Sequence, residues 1–190
     1  MVTGATGYLG KAMVFALAEA GACVLVNARS SEQVEALVDQ LVKQGCAAES
    51  AIFDVTDRSA IEAFFEEFKN RPLHVLINNA YVGGSGSVEL SDAAAYVRSY
   101  DVSVVAAHNL LHAALPGLRR AVSEGGDASV INFASMYAMV SPDQRIYDSA
   151  AGVNPPFYGA AKAALLQWTR YAACEFGKEG IRGNAISPGP

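Results

Sequence analysis

The sequence has few charged residues and no excess of basic ones. Lysine and arginine together number 14 against 19 aspartate and glutamate residues, which gives a formal net charge of -5 at pH 7. Without a basic surface to argue for, we expect neither a nucleic-acid partner nor binding to an anionic membrane. Charged residues make up 17% and hydrophobic residues 52% of the 190-residue chain. This balance excludes an intrinsically disordered protein and favours a compact α/β protein.

Cysteine is scarce and the apolar runs are short. Cys23, Cys46 and Cys174 are an odd number without metal-ligand spacing, which favours free thiols in a reducing cytoplasm. The apolar stretch at residues 12–26 is interrupted by Glu19 and Gly21. It is too broken for a secretory leader and too short for a membrane span. We therefore predict a cytoplasmic protein without a membrane anchor.

A metal centre is not expected either. His108 and His112 are spaced i, i+4 and could share one face of a helix. No acidic third ligand stands near them, so a packing surface is the better interpretation of the pair.

Glycines recur at every third position where a short apolar segment gives way to a helical pattern. Met1-Val2-Thr3 is typical of the end of a strand, and Gly4-Ala5-Thr6-Gly7-Tyr8-Leu9-Gly10 opens a helix predicted to reach about Ala20. Such glycines let the backbone turn tightly and let a pyrophosphate approach the helix N terminus, where free N–H groups favour an anion. A plain strand–helix turn is the alternative, because glycine-rich turns occur in many unrelated proteins.

Strand and helix patterns alternate along the rest of the chain. Further strands are predicted at residues 22–27, 48–53, 73–77, 128–134 and 181–186. Helices are predicted at residues 31–43, after Asp57, at residues 92–121 with Pro116 as a bend or stop, and from Pro155 onward. The first strand, helix and second strand supply the β-α-β context that a nucleotide-binding glycine turn requires.

The end of the second strand bears on the choice of cofactor. A cofactor with a free ribose 2′-hydroxyl usually meets an acidic residue there, but this chain has Asn27-Ala28-Arg29. A cation suits a 2′-phosphate better, so the sequence favours NADP(H) over NAD(H). A solvated loop position for Arg29 is the alternative.

Tyr158 and Lys162 are spaced i, i+4 just inside a predicted helix start, so both side chains share one helix face. A free phenol titrates near pH ~10 and is a poor acid–base catalyst at neutrality. A nearby ammonium favours the phenolate form and brings such a group closer to its working range. The pair alone is weak evidence, because the same spacing occurs by chance on many amphipathic helices.

Several segments together resemble the short-chain dehydrogenase/reductase family, in its single-domain branch. They are Thr3-Gly4-x-x-Gly7-x-x-Gly10, Asn78-Asn79-Ala80, Ser135, Tyr158-x-x-x-Lys162 and Ser187-Pro188-Gly189, and they cover essentially all 190 residues. The resemblance implies an α/β fold, a Rossmann-type doubly wound parallel sheet with helices on both faces. Its strand order would be 3-2-1-4-5-6, with residues 1–3 as the first strand. It also implies a homodimer or homotetramer assembled through the long helix and the Tyr158 helix.

The resemblance also implies roles for particular residues in the interconversion of a secondary alcohol and a ketone. Tyr158 would be the general acid or base, Lys162 would favour its phenolate and bind the nicotinamide ribose, and Ser135 would hydrogen-bond the substrate oxygen. The cofactor would be held by Gly4, Thr6, Gly7, Tyr8, Leu9, Gly10, Arg29, Asp54, Val55, Asn78, Ala80, Tyr158, Lys162, Pro188 and Gly189.

The chain departs from the family pattern at several places. Tyr8 stands where the single-domain branch usually has glycine, and Ser103 stands where an asparagine is usual; Ser103 would relay a proton through water. The interval from Ser135 to Tyr158 is about ten residues longer than usual. Its loop carries Asp143, Arg145, Tyr147 and Asp148, which predicts a polar substrate site for a sugar or a hydroxy acid.

The ends of the chain are also short for the family. Little of the first strand is present, and a lid helix and a seventh strand would follow residue 190, so a single cofactor-binding domain truncated at both ends is expected. Two other functions stay open. One is a truncated, non-catalytic nucleotide-binding paralogue, and the other, suggested by the glycine spacing, is a sugar-nucleotide epimerase or dehydratase.

Overall fold

Helices and parallel strands alternate in the computed structural model, which describes residues 1–189. The helices are α1 (Tyr8–Glu19), α2 (Ser31–Lys43), α3 (Arg58–Phe68), α4 (Ala93–Tyr100), α5 (Ala106–Ser123) and α6 (Pro156–Phe176). The strands are β1 (Val24–Ala28), β2 (Ala48–Ile52), β3 (Val75–Asn78), β4 (Ala128–Phe133) and β5 (Ile181–Ile186). In the part of the chain described, no helix has both the length and the apolar character needed to cross a bilayer.

Residues 1–3 join two groups of paired strands into one parallel layer. β1 pairs with β2, and β4 pairs with both β3 and β5. Val2 lies between the groups and forms a parallel bridge to Val26 on one side and to Ile77 on the other. The resulting order is β2-β1-(1–3)-β3-β4-β5. Counted from residues 1–3 as the first strand, this is the predicted order 3-2-1-4-5-6.

Helices cover both faces of the sheet because successive strand side chains point to opposite sides. Val2, Val24 and Val26 pack with residues of α1 and α2 in one apolar cluster. Met1 and Leu25, their neighbours in sequence, belong to a second cluster that includes residues of α3, α5 and α6. The two clusters confirm the doubly wound α/β architecture.

Most predicted elements are present, and the long helix shows the main difference. Predicted as continuous over residues 92–121, it is interrupted by a π-helical turn at Asp101–Val105. Pro116 neither ends nor divides it, because α5 runs through this residue to Ser123. π-Helical turns are rare and occur often at functional sites, so Ser103, at the centre of this turn, is a candidate functional residue.

Candidate active site

A cleft of about 1280 Å³ runs along the carboxyl ends of the strands, where doubly wound folds bind their ligands. Segments that follow residues 1–3 and all five strands contribute to its walls. The site residues anticipated from the sequence that line it are Gly4, Thr6, Gly7, Tyr8, Leu9, Gly10, Arg29, Asp54, Val55, Ala80, Ser135, Tyr158, Lys162, Pro188 and Gly189. The fold therefore brings together residues from the two ends of the chain.

The glycine turn is packed so tightly that side chains would not fit. A Cβ on Gly10 would lie 2.1 Å from the carbonyl oxygen of Gly4, and Gly4 itself has a φ of +60°. The turn is tied to the end of β3 by Thr3, whose hydroxyl oxygen accepts from the backbone N–H groups of Asn79 (2.9 Å) and Ala80 (3.1 Å). The Asn79 side chain donates in turn to the Thr3 carbonyl oxygen at 2.9 Å.

This turn fits a dinucleotide pyrophosphate. The N-cap of α1 is Gly7, which has no side chain to accept from the first N–H groups of the helix. Tyr8 is 95% exposed and Leu9 46% exposed, so the first turn borders open cleft. Unpaired N–H groups and the positive end of a 12-residue helix favour an anion at this position.

At the end of β1, Arg29 lies beside Asp54. Its guanidinium is 3.6 Å from the Asp54 carboxylate, while 70% of the arginine side chain is exposed. Asp54 is held by the backbone N–H and hydroxyl of Thr56, at 2.9 and 2.8 Å. Burial opposes its ionisation, but these hydrogen bonds and Arg29 outweigh that effect and keep the pKa of Asp54 below its ordinary value. Arg29 is thus anchored by a carboxylate and still open to the cleft.

Tyr158 and Lys162 extend from the first turns of α6, which begins immediately after Pro155. Lys162 is only 3% exposed, and its Nζ donates to the carbonyl oxygen of Phe133 at 2.6 Å. Burial lowers the pKa of Lys162 to about 8. Its Nζ also lies 5.8 Å from the centre of the Tyr158 ring. The pair therefore places a cation with a mobile proton beside a phenol in the cleft.

Ser135 follows β4 and is 5% exposed. Its Oγ accepts from the backbone N–H of Tyr137 at 3.1 Å, which starts a short 3-10 turn. This bond uses the oxygen as an acceptor and leaves the hydroxyl hydrogen available for donation into the cleft.

Asn78 and Ser103 lie behind the cleft. Asn78 is buried, and its side-chain amide donates to the side-chain Oδ1 of Asn132 at 2.7 Å. Strand alternation sends its side chain away from the cleft that Asn79 borders. Ser103 is 4% exposed, and its hydroxyl has no hydrogen-bond partner among the described residues. Both residues border a cavity of about 10 Å³ that Lys162 also lines.

Two tyrosines that the sequence interpretation did not assign also line the cleft. Tyr81 follows Asn79-Ala80 directly, and its ring meets that of Tyr158 edge to face at 4.9 Å. Tyr137 stands two residues after Ser135, and its hydroxyl shares a 3.2 Å hydrogen bond with that of Tyr147 in the long loop. Their closeness to the Asn-Asn-Ala segment and to Ser135 is the signal that could have identified them.

The charged residues of the long loop have a different placement. The guanidinium of Arg145 forms hydrogen bonds to both carboxylate oxygens of Asp143, and its side chain is 89% exposed. Neither residue is among those that line the cleft. In this loop Asn154 lines the cleft directly, and Tyr147 connects with the cleft through its hydrogen bond to Tyr137.

Comparison with known proteins gives consistent matches. The family model described as short chain dehydrogenase matches residues 1–190. An A-factor type gamma-butyrolactone 1'-reductase (1S-forming) of Streptomyces virginiae is 32% identical over 194 residues, which cover 100% of this chain and 70% of that protein. A 2-keto-3-deoxy-L-fuconate dehydrogenase of Xanthomonas campestris pv. campestris is 31% identical over 190 residues, which cover 100% of this chain and 57% of that protein.

A solved structure shows the same fold. L-Sorbose reductase from Gluconobacter frateurii, complexed with NADPH and L-sorbose, superposes on this protein with a TM-score of 0.83 at 25% identity. The superposition covers 99% of this chain and 67% of the reductase chain. The chain thus spans only part of the length of these proteins. The match of the family model along the whole chain, together with the cleft geometry, shows that the chain belongs to the short-chain dehydrogenase family.

Proposed function

We propose that this protein is an NAD(P)-dependent oxidoreductase that interconverts a secondary alcohol and a ketone. The observation that carries the proposal is the shared cleft, in which Ser135, Tyr158 and Lys162 stand along the same strand ends as the glycine turn. A general acid, a hydroxyl donor and a buried ammonium are the groups that carbonyl reduction requires. The family membership supports the same reaction class.

Each of the three residues has one task in the reduction. The Tyr158 hydroxyl gives its proton to the carbonyl oxygen of the substrate, and the Ser135 hydroxyl donates a hydrogen bond to that oxygen as charge develops on it. The Lys162 ammonium stabilises the phenolate that Tyr158 becomes. In the oxidation, the Tyr158 phenolate takes up the proton. The bound nicotinamide supplies the hydride in one direction and accepts it in the other.

The cofactor is held by the residues that border the cleft. Gly4, Thr6, Gly7, Tyr8, Leu9 and Gly10 would hold the pyrophosphate, Asp54 and Val55 would meet the adenine, and Ala80, Pro188 and Gly189 would adjoin the nicotinamide half; all of them line the cleft. We propose that NADP(H) is preferred over NAD(H), because Arg29 is exposed to the cleft and can pair with a 2′-phosphate. Asp54 lies 3.6 Å from the same guanidinium and holds it in place.

Ser103 has a proposed role behind the site. The cavity it shares with Lys162 and Asn78 is close to the smallest volume that holds one water molecule. Such a water would hydrogen-bond to the buried Ser103 hydroxyl and Asn78 amide oxygen, which otherwise have no partner among the described residues. By way of Lys162, it would replace the proton that Tyr158 gives to the substrate oxygen in each reduction.

The substrate and the assembly are proposals of the same kind. Two of the similar proteins, a 2-keto-3-deoxy-L-fuconate dehydrogenase and an L-sorbose reductase, are named for sugar-like substrates. The Tyr137 hydroxyl and the Asn154 amide border the cleft and suit a substrate with several hydroxyl groups. Val97 and Tyr100 on α4 are 69% and 48% exposed, an apolar surface that suits a homodimer or homotetramer. The free thiols fit a cytoplasmic protein.

The proposal is tested by fluorescence titration of NADPH and NADH against wild type, Tyr158→Phe and Arg29→Ala. We expect both cofactors to bind to wild type and Tyr158→Phe alike, with NADPH tighter. Arg29→Ala should weaken NADPH about tenfold and leave NADH unchanged, because only one cofactor carries the 2′-phosphate. Oxidation of NADPH is then measured with a panel of ketoses that includes L-sorbose. If neither NADPH nor NADH binds to the wild-type protein, the proposed site is refuted.

A further inference from the structure

Tyr81 is an aromatic residue that lies beside both members of the proposed proton-transfer pair, Tyr158 and Lys162. It leaves the end of β3, lines the cleft and is half-buried. Its ring meets the Tyr158 ring at a centroid distance of 4.9 Å and an interplanar angle of 73°. The Nζ atom of Lys162 lies 5.1 Å from the centre of the Tyr81 ring, closer than the 5.8 Å that separates it from the Tyr158 ring. Tyr81 thus contacts both members of the pair.

The hydroxyl of Tyr81 is anchored at the other end of the ring. Ser99 on α4 is 4% exposed, and its hydroxyl donates to the carbonyl oxygen of Phe157 at 3.1 Å. The Ser99 proton is therefore committed, and its oxygen is left to accept from the Tyr81 hydroxyl, 3.4 Å away. Phe157 immediately precedes Tyr158 in the first turn of α6. This chain of hydrogen bonds connects the end of β3, α4 and the start of the catalytic helix.

We propose that Tyr81 is a positioning residue, which holds the ring of Tyr158 in its reactive orientation and keeps water away from the Lys162 ammonium. The inference rests on the proposed function, because it presumes that Tyr158 and Lys162 move the proton.

Two physical effects make this arrangement work. Aromatic rings prefer edge-to-face contact, since the positive edge of one ring faces the negative face of the other. A ring fixed by Ser99 on one side therefore limits rotation of the Tyr158 phenol. The negative face of the Tyr81 ring also attracts the ammonium and replaces part of the hydration that burial removes. Tyr81 thereby helps to stabilise a charged lysine that is only 3% exposed in the wall of the cleft.

The first test measures whether Tyr81 shields Lys162, and it needs neither cofactor nor turnover. Lysines of the free protein are labelled with a limiting amount of acetic anhydride, and the peptides are quantified by mass spectrometry, with exposed Lys178 as the internal reference. We expect Tyr81→Ala to raise the labelling of Lys162 relative to Lys178 about tenfold, and Tyr81→Phe to leave it as in wild type, because the ring remains. Equal labelling in wild type and Tyr81→Ala would overturn the shielding role.

The second test measures the effect on catalysis by NADPH oxidation with the ketose that wild type reduces fastest. Tyr81→Ala should lower kcat about 30-fold and change the NADPH dissociation constant less than twofold, whereas Tyr81→Phe should recover kcat to within about threefold of wild type. Tyr96→Phe removes a phenol hydroxyl from α4 but keeps the ring that faces Phe157, so it should match wild type. A wild-type kcat in Tyr81→Ala would contradict the inference.

A further variant covers the case in which Tyr81→Ala does not fold. Tyr81→Leu keeps apolar bulk and removes the aromatic edge, so it should retain slow Lys162 labelling and lose about tenfold in kcat. An unchanged kcat in Tyr81→Leu would overturn the orienting role. The two tests also separate the two proposals. Increased labelling in Tyr81→Ala with a wild-type protein that reduces no ketose refutes the proposed function and leaves the placement of Tyr81 supported.

Discussion

The two sides of the cleft are built in different ways. The glycine-turn side, residues 1–56, presents mainly backbone: tight glycines, the open first turn of α1 and the exposed Arg29. The side that holds the proposed catalytic residues, residues 73–189, presents buried side chains, among them Ser135 at 5% exposure and Lys162 at 3%. The glycine-turn side therefore depends on the absence of side chains at its glycines, whereas the other side depends on the chemistry of a few buried groups.

We expect the two sides of the cleft to be sensitive to different kinds of substitution. A backbone surface tolerates no added atoms, because main-chain groups cannot move aside as flexible side chains can. For buried functional groups, a loss of charge or of a hydrogen-bond partner is costly, because it leaves an unpaired polar group in the interior. Substitutions on the two sides should accordingly separate cofactor binding from catalysis.

The largest expected effect is the loss of catalysis in Tyr158→Phe. Removal of the phenol hydroxyl should lower kcat about 10²- to 10⁴-fold, the usual contribution of a general acid. Because the ring stays in place, NADPH affinity and thermal stability should remain those of wild type. Steady-state kinetics with a ketose give the first quantity and fluorescence titration the second. Tyr171→Phe, an exposed tyrosine on the same helix, is the matched control. A kcat within threefold of wild type would remove Tyr158 from the proposed mechanism.

The second prediction concerns the pH dependence of stability due to Lys162. Burial lowers the pKa of Lys162 to about 8 in the folded protein, whereas an unfolded lysine titrates near pH ~10.4. Between these values the unfolded state binds more protons, so this residue makes the free energy of unfolding rise with pH. The cost of burying the charge is fully present below pH ~8 and is gone above pH ~10.4.

Lys162→Met should remove this rise. The stability of wild type relative to Lys162→Met should improve by up to about 3 kcal/mol from pH 7 to pH 10.5, as measured by urea unfolding at several pH values. Lys178→Met, at an exposed position, is the matched control for this substitution. If the difference between wild type and Lys162→Met is flat with pH, the folded lysine does not titrate as its burial implies.

The smallest of the three effects is expected on the glycine-turn side. In Gly10→Ala the added Cβ would lie 2.1 Å from the Gly4 carbonyl oxygen, so the turn and the start of α1 must separate. We expect a loss of about 1–3 kcal/mol in stability, typical of overpacking, and at least about tenfold weaker binding of NADPH.

Gly177→Ala is the matched control for the glycine turn. Beyond its immediate chain neighbours, a Cβ on Gly177 would have no neighbour within 4 Å among the described residues, and its φ of -58° suits alanine. Its stability and NADPH affinity should equal those of wild type. Tight NADPH binding by Gly10→Ala would contradict the view that this side is specified by its missing volume.

Local sequence patterns were sufficient to predict where helices and strands lie and which residues share one face of a helix. Periodicity placed α2 and β5 at the residues where the structure has them. The spacing of Tyr158 and Lys162 put them on one helix face, since four residues make about one turn. The glycine spacing predicted a tight turn, because only glycine lets backbone approach backbone so closely.

Contacts between side chains of different helices, strands and loops could be identified only from the folded structure. It turned Asn79 rather than Asn78 toward the cleft, enclosed Ser103 in a π-helical turn, and paired Arg145 with Asp143 outside the cleft. The placement of Tyr81 depends on Ser99, whose hydroxyl also donates a hydrogen bond to the carbonyl oxygen of Phe157, 58 positions further along the chain. Local spacing cannot specify such contacts, because they depend on how separate helices and strands pack against one another.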